Sequence, residues 1–239
     1  MNLIVAARRG DCLQSLAEEL TKAHSVQVEV IAVDLLAPGE PAGLIKRVEE
    51  LGHPVDLLIN NAGFGLLSRV DDTDADGVQR MISLNVSALT ALTYAVLPAM
   101  LKRQSGAILN IASLAAFQPV VYMPVYGATK SYVLHFSESL WAEARERNVL
   151  VMAVCPGFTK TEFLDVAGVQ GWYTRFAQTS ADVVATSINA IRRRRPSVIC
   201  GWINWLTSLL SRLVSRKMIV IGSQAMMRPR KSSKTERTS

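Results

Sequence analysis

One pattern repeats from residue 2 to about residue 160: a short apolar run, then a longer stretch whose apolar residues share one helical face. The runs "NLIVAA", "VQVEVIAVDL", "VDLLIN", "GAILNIAS" and "VLVMAVCPG" read as strands. Between them, "DCLQSLAEELTKA" places Leu13, Leu16, Ala17 and Leu20 on one face. "GLIKRVEEL", "DGVQRMISLNVSALTALTYAVLPAML" and "VYGATKSYVLHFSESLWAEAR" also read as helices. The strand runs are continuously apolar rather than alternating, so each is expected to be covered on both faces. Strands joined through helices must cross over, which makes their neighbours parallel. The expectation is a three-layer α/β domain around a parallel sheet, spanning residues 1–190.

Beyond residue 190 the composition changes. Residues 1–189 carry 14 Lys/Arg against 19 Asp/Glu, whereas residues 190–239 carry 12 Lys/Arg and a single acid, Glu236. The net charge of +6 therefore originates in the C-terminal region. There, "RRRRPS" leads into "VICGWINWLTSLLSRLVSRK", in which Trp202, Trp205, Leu206, Leu209, Leu210, Leu213 and Val214 recur on one helical face. Residues 191–222 are read as a basic, amphipathic helical extension and residues 223–239 as a disordered basic tail. The apolar face fits three roles: closing a substrate pocket, contacting a second copy in a homo-oligomer, or lying on a membrane surface through residues 202–214. The arginine run alone would suit nucleic acid, but the acidic body and the lack of a recognised nucleic-acid motif argue against it.

Cys12, Cys155 and Cys200 are widely spaced, which gives no disulfide framework and no metal-ligand pair. That fits a reducing, cytoplasmic setting without a metal site. The first apolar run is too short for a secretory signal and precedes its arginines. No run of about 18 uninterrupted apolar residues occurs, so no simple membrane span is expected.

Ligands of open α/β sheets bind beyond the carboxyl ends of the strands. Arg8 and Arg9 end the first run and suit an adenosine 2′-phosphate, although a solvated turn is the commoner use of such a pair. Asp34 could accept from an adenine amino group or simply shape a turn. "NNAG", Asn60 to Gly63, ends the third run, and Gly63 lets backbone approach a ligand closely. The "GFG" of Gly63 to Gly65 looks like a glycine fingerprint but has Ser68 at the third glycine position, and is read as a decoy.

Chemistry concentrates further along. Tyr126 and Lys130 stand four apart at a helix start, so they share a face. A neighbouring ammonium favours phenolate and is expected to lower the tyrosine pKa toward neutrality. Ser113 ends "GAILNIAS" and could hydrogen-bond a substrate carbonyl. Asn85 sits in a helical pattern where asparagine is mildly unfavourable, which suggests a structural water or a functional bond. Each feature alone is weak.

Together, "NNAG", "LNV", "NIAS", "YGATK" and "CPGFTKT" occur in an order and spacing that resembles the short-chain dehydrogenase/reductase family over roughly residues 3–165. The resemblance implies a Rossmann-type, doubly wound fold using a nicotinamide cofactor. It casts Tyr126 as acid/base, Lys130 as its pKa modulator and ribose ligand, Ser113 as carbonyl polariser and Asn85 as anchor of a relay water. It places Asn60, Ala62 and Gly63 along the cofactor, Asp34 at the adenine, and Pro156, Gly157 and Thr161 beside the nicotinamide, with Thr159 nearby. Arg8, assisted by Arg9, matches the basic position of NADP-preferring members. Family members also have an earlier strand, glycine-rich turn and helix that hold the pyrophosphate. Residue 1 falls where the family has its second strand, so a missing βα unit and a gap in the sheet are expected. Two functions follow: an NADP-dependent reductase of a hydrophobic carbonyl or alcohol, or an impaired remnant or interaction protein. The loop with Val166, Val169, Trp172, Tyr173 and Phe176 is expected over the substrate.

Overall fold

The computed structural model describes residues 2–168 and 177–227. Val169, Trp172, Tyr173 and Phe176 therefore lie outside the described residues. Six strands appear: β1 (Leu3–Ala7), β2 (Val28–Ala32), β3 (Leu57–Asn60), β4 (Ala107–Ile111), β5 (Leu150–Cys155) and β6 (Ser197–Ile199). The helices linking them are α1 (Gly10–His24), α2 (Glu40–Glu50), α3 (Ala75–Ile82), α4 (Leu89–Arg103), α5 (Pro124–Ala144), α6 (Glu162–Val166) and α7 (Ser180–Arg192). Two more, α8 (Trp202–Leu213) and α9 (Arg216–Met227), follow β6.

All strand pairs are parallel, as the crossover pattern requires, but they form two sheets: β1-β2 and β3-β4-β5-β6. The halves are joined by packing. Ile31, Val33, Leu44, Val48 and Leu92 form one core cluster, with Leu58 of β3 against it, so α2 is held on α4.

Burial follows from this division. Every residue of β5, which has a partner on each side, is buried. β1 and β3 each pair on one edge only, and they leave Ile4, Leu57 and Ile59 exposed. The expectation of strands covered on both faces thus holds for β4 and β5 and fails for β1 and β3.

The helical run 75–103 is long and apolar enough, by length and composition, to cross a membrane, although polar residues interrupt it. Its Met81, Leu89, Leu92, Val96, Leu97 and Met100 are spent on the core. Asp74 caps the N-terminus of α3 by accepting from Asp76 N at 3.1 Å. Thr179 and Asp182 form a reciprocal capping box on α7.

Two expected boundaries move. β6 hydrogen-bonds to β5, so the α/β body continues past residue 190. Helix α9 runs to Met227 with Ser223 and Met227 buried, so residues 223–227 are packed helix and not tail.

Candidate active site

Asn85, Ser113, Tyr126 and Lys130 are brought together from three elements. Tyr126 and Lys130 lie one turn apart in the N-terminal part of α5, both buried, with Lys130 Nζ 5.8 Å from the Tyr126 ring centre. Ser113 follows β4 and caps a short 3₁₀ turn, its Oγ accepting from Ala115 N at 3.1 Å. The Ser113 hydroxyl is also hydrogen-bonded to the Tyr126 side chain.

Asn85 occupies a π-helical segment, Ser83–Ala88, between α3 and α4. Such one-turn widenings frequently mark functional sites. Its amide donates to Phe64 O at 2.9 Å and Thr129 Oγ1 at 3.1 Å, and its Oδ1 accepts from Phe64 N at 3.1 Å. The side chain therefore joins the loop after β3 to α5.

The glycines of "NAGFG" are needed for close approach. A Cβ on Gly63 would lie 2.9 Å from Asn85 Oδ1 and 3.5 Å from Lys130 Nζ. One on Gly65 would lie 3.1 Å from Tyr126 Cδ2 and 3.3 Å from Phe163. Gly65 thus packs against Tyr126, and no helix starts directly after it, in keeping with the reading of "GFG" as no phosphate-binding fingerprint. Phe163, with its ring centre 5.5 Å from that of Tyr126, is a wall that no sequence motif signalled. Met227 of α9 joins the same cluster as Tyr126, Met81 and Met123.

The electrostatics correct another expectation. Burial pushes the Tyr126 phenol up to about 12, only partly offset by the hydrogen bond to Ser113. Burial also brings the Lys130 ammonium down to about 8, with the neighbouring Cys155 opposing that shift. Lys130 Nζ donates to Ile111 O at 2.7 Å. At this separation the ammonium does not overcome desolvation of the phenol, and Tyr126 is a protonated donor at neutral pH.

The expected cofactor residues fare unevenly. The Asn60 side chain turns into the core, donating to Asn110 Oδ1 at 2.8 Å and Thr93 Oγ1 at 3.1 Å, so only its backbone remains for a ligand. Ala62 is exposed at the strand end. Pro156 O accepts from Leu114 N at 2.8 Å and steadies the Ser113 turn. Gly157 is covered by the Asn204 amide of α8. Thr161 caps α6, accepting from Phe163 N at 3.3 Å, and Thr159 bridges to Gln178.

Asp34 accepts from Leu36 N at 3.1 Å, which is the turn role. Arg8 is exposed and has no ion-pair partner among the described residues. Arg9 instead makes a two-pronged pair with Glu162, 2.8 Å and 3.3 Å, across 153 positions of sequence. No cluster of potential metal ligands occurs among the described residues.

A nicotinamide nucleotide fits these residues in part. The Tyr126–Lys130 face, the Cβ-free Gly63 and the turn after β5 suit its nicotinamide half. Among the described residues there is no glycine-rich turn leading into a helix to receive the pyrophosphate. A groove of about 980 Å³ lies along α5 and is lined by Gln118, Val120, Ser131, His135, Arg212 and Arg216. None of the four catalytic candidates lines it.

Residues 1–169 match the family model described as short chain dehydrogenase. The chain is 35% identical over 164 residues to the NADP-dependent 3-hydroxy acid dehydrogenase of Schizosaccharomyces pombe, covering 68% of this chain and 63% of that protein. This chain therefore spans less than two thirds of that relative's length. Among solved structures it is similar to a short-chain dehydrogenase from Sphingobium yanoikuyae in complex with NADPH (TM-score 0.78, 30% identity, 99% of this chain and 90% of that one). It is also similar to a bulky-bulky ketone specific alcohol dehydrogenase from Comamonas testosteroni (TM-score 0.75, 27% identity, 89% and 82%).

Proposed function

The chain belongs to the short-chain dehydrogenase family, and on that premise we propose that it is an NADP-dependent oxidoreductase that reduces an apolar carbonyl compound. The observation that carries this reading is the convergence of buried Tyr126, Lys130 and Asn85 with half-buried Ser113 around the loop after β3. A nicotinamide cofactor, when bound, supplies the hydride. The remaining tasks fall to side chains of this chain.

Ser113 holds the substrate oxygen and fixes the Tyr126 hydroxyl. Tyr126 donates its proton to that oxygen as negative charge develops there. With its phenol at about 12, Tyr126 carries its proton at neutral pH and stands ready as the acid. Lys130 is cationic below about 8, so its charge stabilises the phenolate left after proton transfer. Gly65, Met123, Phe163 and Met227 make the surroundings of Tyr126 apolar, in keeping with an apolar substrate. NADP over NAD is supported by the exposed guanidinium of Arg8 and by the cofactors named for the fission-yeast and Sphingobium proteins.

A second reading, a chain that kept the site but binds cofactor poorly, is favoured by the break between the two sheets and by the Arg9–Glu162 pair. Titration with NADPH and NADH, followed by nicotinamide fluorescence, separates the two. Saturable binding of NADPH, with reduction of apolar aldehydes or ketones abolished by Tyr126→Phe, is the expected result. Failure of either nucleotide to bind establishes the second reading.

A further inference from the structure

Helix α8 is packed with its polar face inward. Asn204 donates to Cys200 O and Gln178 Oε1, at 2.6 Å and 3.3 Å. Ser208 is buried, and Ser211 donates to Phe117 O at 3.4 Å. The opposite face carries Trp202, Ile203, Trp205, Leu206, Leu210 and Leu213, all more than half exposed, Trp202 at 75% and Leu213 at 77%. Val214, expected on this face, lies just past the helix and is half-buried.

Helix α9 repeats the arrangement: Ser223 is buried, accepting from Val121 N at 2.9 Å, while Met218 and Ile221 are exposed. A core helix turns its apolar stripe toward the protein. Here hydrogen bonds anchor both helices by their small polar residues and hold the α8 apolar stripe outward, while Met227 of α9 packs beside Tyr126. A contiguous exposed apolar patch of this kind marks an interaction surface.

We propose that this surface docks on an anionic lipid bilayer, with the α8 tryptophan–leucine face in the interface and the flanking cations at the headgroups. Charge selects the occupant. Arg212, Arg216 and Lys217 stand at the C-terminal end of the face, and residues 190–227 contain no carboxylate. A second copy related by two-fold symmetry would set these cations against their own counterparts with no acid between them. An anionic surface complements them, and tryptophan suits the boundary between headgroup and acyl chain. The bonds from Ser211 and Ser223 tie α8 and α9 to residues 117 and 121, in the loop leading to Tyr126. The helices that carry the docked face therefore rest on the segment that precedes the acid.

The test is co-sedimentation of the full chain with phosphatidylcholine vesicles, with and without roughly 30% phosphatidylglycerol. Expected are binding at least about tenfold stronger to the anionic vesicles and a blue shift of tryptophan emission. The shift should vanish in Trp202→Phe/Trp205→Phe observed at the tryptophan band. Leu206→Ser/Leu210→Ser should weaken binding about tenfold, as should Arg212→Gln/Arg216→Gln/Lys217→Gln, with unchanged circular dichroism. Three results overturn the proposal. One is equal recovery with and without anionic vesicles. Another is unimpaired binding by the Leu206→Ser/Leu210→Ser chain. The third is a lipid-free dimer, seen by light scattering, that this variant dissociates.

Discussion

Replacing Lys130 by methionine removes a buried cation whose cost can be worked out. Burial brings the ammonium from 10.5 down to about 8, which at ~1.4 kcal/mol per pH unit disfavours the charged form by about 3 kcal/mol. Methionine keeps the length and much of the volume of the stem. It also orphans the Ile111 carbonyl that Lys130 satisfies at 2.7 Å, a loss of about 1–3 kcal/mol. At pH 7 the variant should therefore range from equally stable to about 2 kcal/mol more stable than the parent, while losing turnover.

The pH dependence is the sharper signature. Between about 8 and 10.5 the unfolded chain still holds the lysine proton that the folded chain has released, so parental stability from this group rises with pH. Below about 8 both states are protonated, and the contribution is flat. Urea unfolding of parent and variant across this range should show their difference moving by about 3 kcal/mol in favour of the parent as pH rises. Tyr126 and Cys155 are present in both proteins, so their titration largely cancels from the difference. Parallel stability curves through the window would refute the assignment of a desolvated, charged Lys130.

Three further outcomes follow from the same geometry. Gly63→Ala should place a methyl 2.9 Å from Asn85 Oδ1, displacing the amide that links Phe64 to Thr129. A loss of about 1–3 kcal/mol in thermal or urea unfolding, together with reduced turnover, is expected. Asn110→Ala should cost about 1–3 kcal/mol, because the buried Asn60 amide keeps only Thr93. An unchanged urea midpoint would contradict that role. Glu162→Gln should release Arg9 and tighten NADPH several-fold without tightening NADH, and, as both side chains are exposed, leave the melting temperature unchanged. Equal tightening of the two nucleotides would show that Arg9 does not read the 2′-phosphate.

Local pattern served best where burial on both faces is uniform. β4, β5 and α5 fall where the apolar runs and helical periodicity put them, because a strand covered on both faces is mostly apolar. β6 was hidden, since "SVI" is short and follows the arginine run. In the site, Tyr126 and Lys130 were legible because a spacing of four is a helical property. Phe163 and Met227 were not, because their place beside Tyr126 depends on segments that return from far along the chain.

Sequence by itself determined the crossover order, the parallel pairing, the shared face of Tyr126 and Lys130, and the contrast between an acidic body and a basic end. These are properties of neighbouring residues and of composition, and they persist whatever packs around them. Tertiary structure decided the rest. It turned Asn60 inward, set Arg9 against Glu162, raised the Tyr126 phenol and faced the α8 tryptophans outward. Desolvation, ion pairing and the direction of an amphipathic stripe depend on which surface lies opposite, and that surface exists only once the chain has folded.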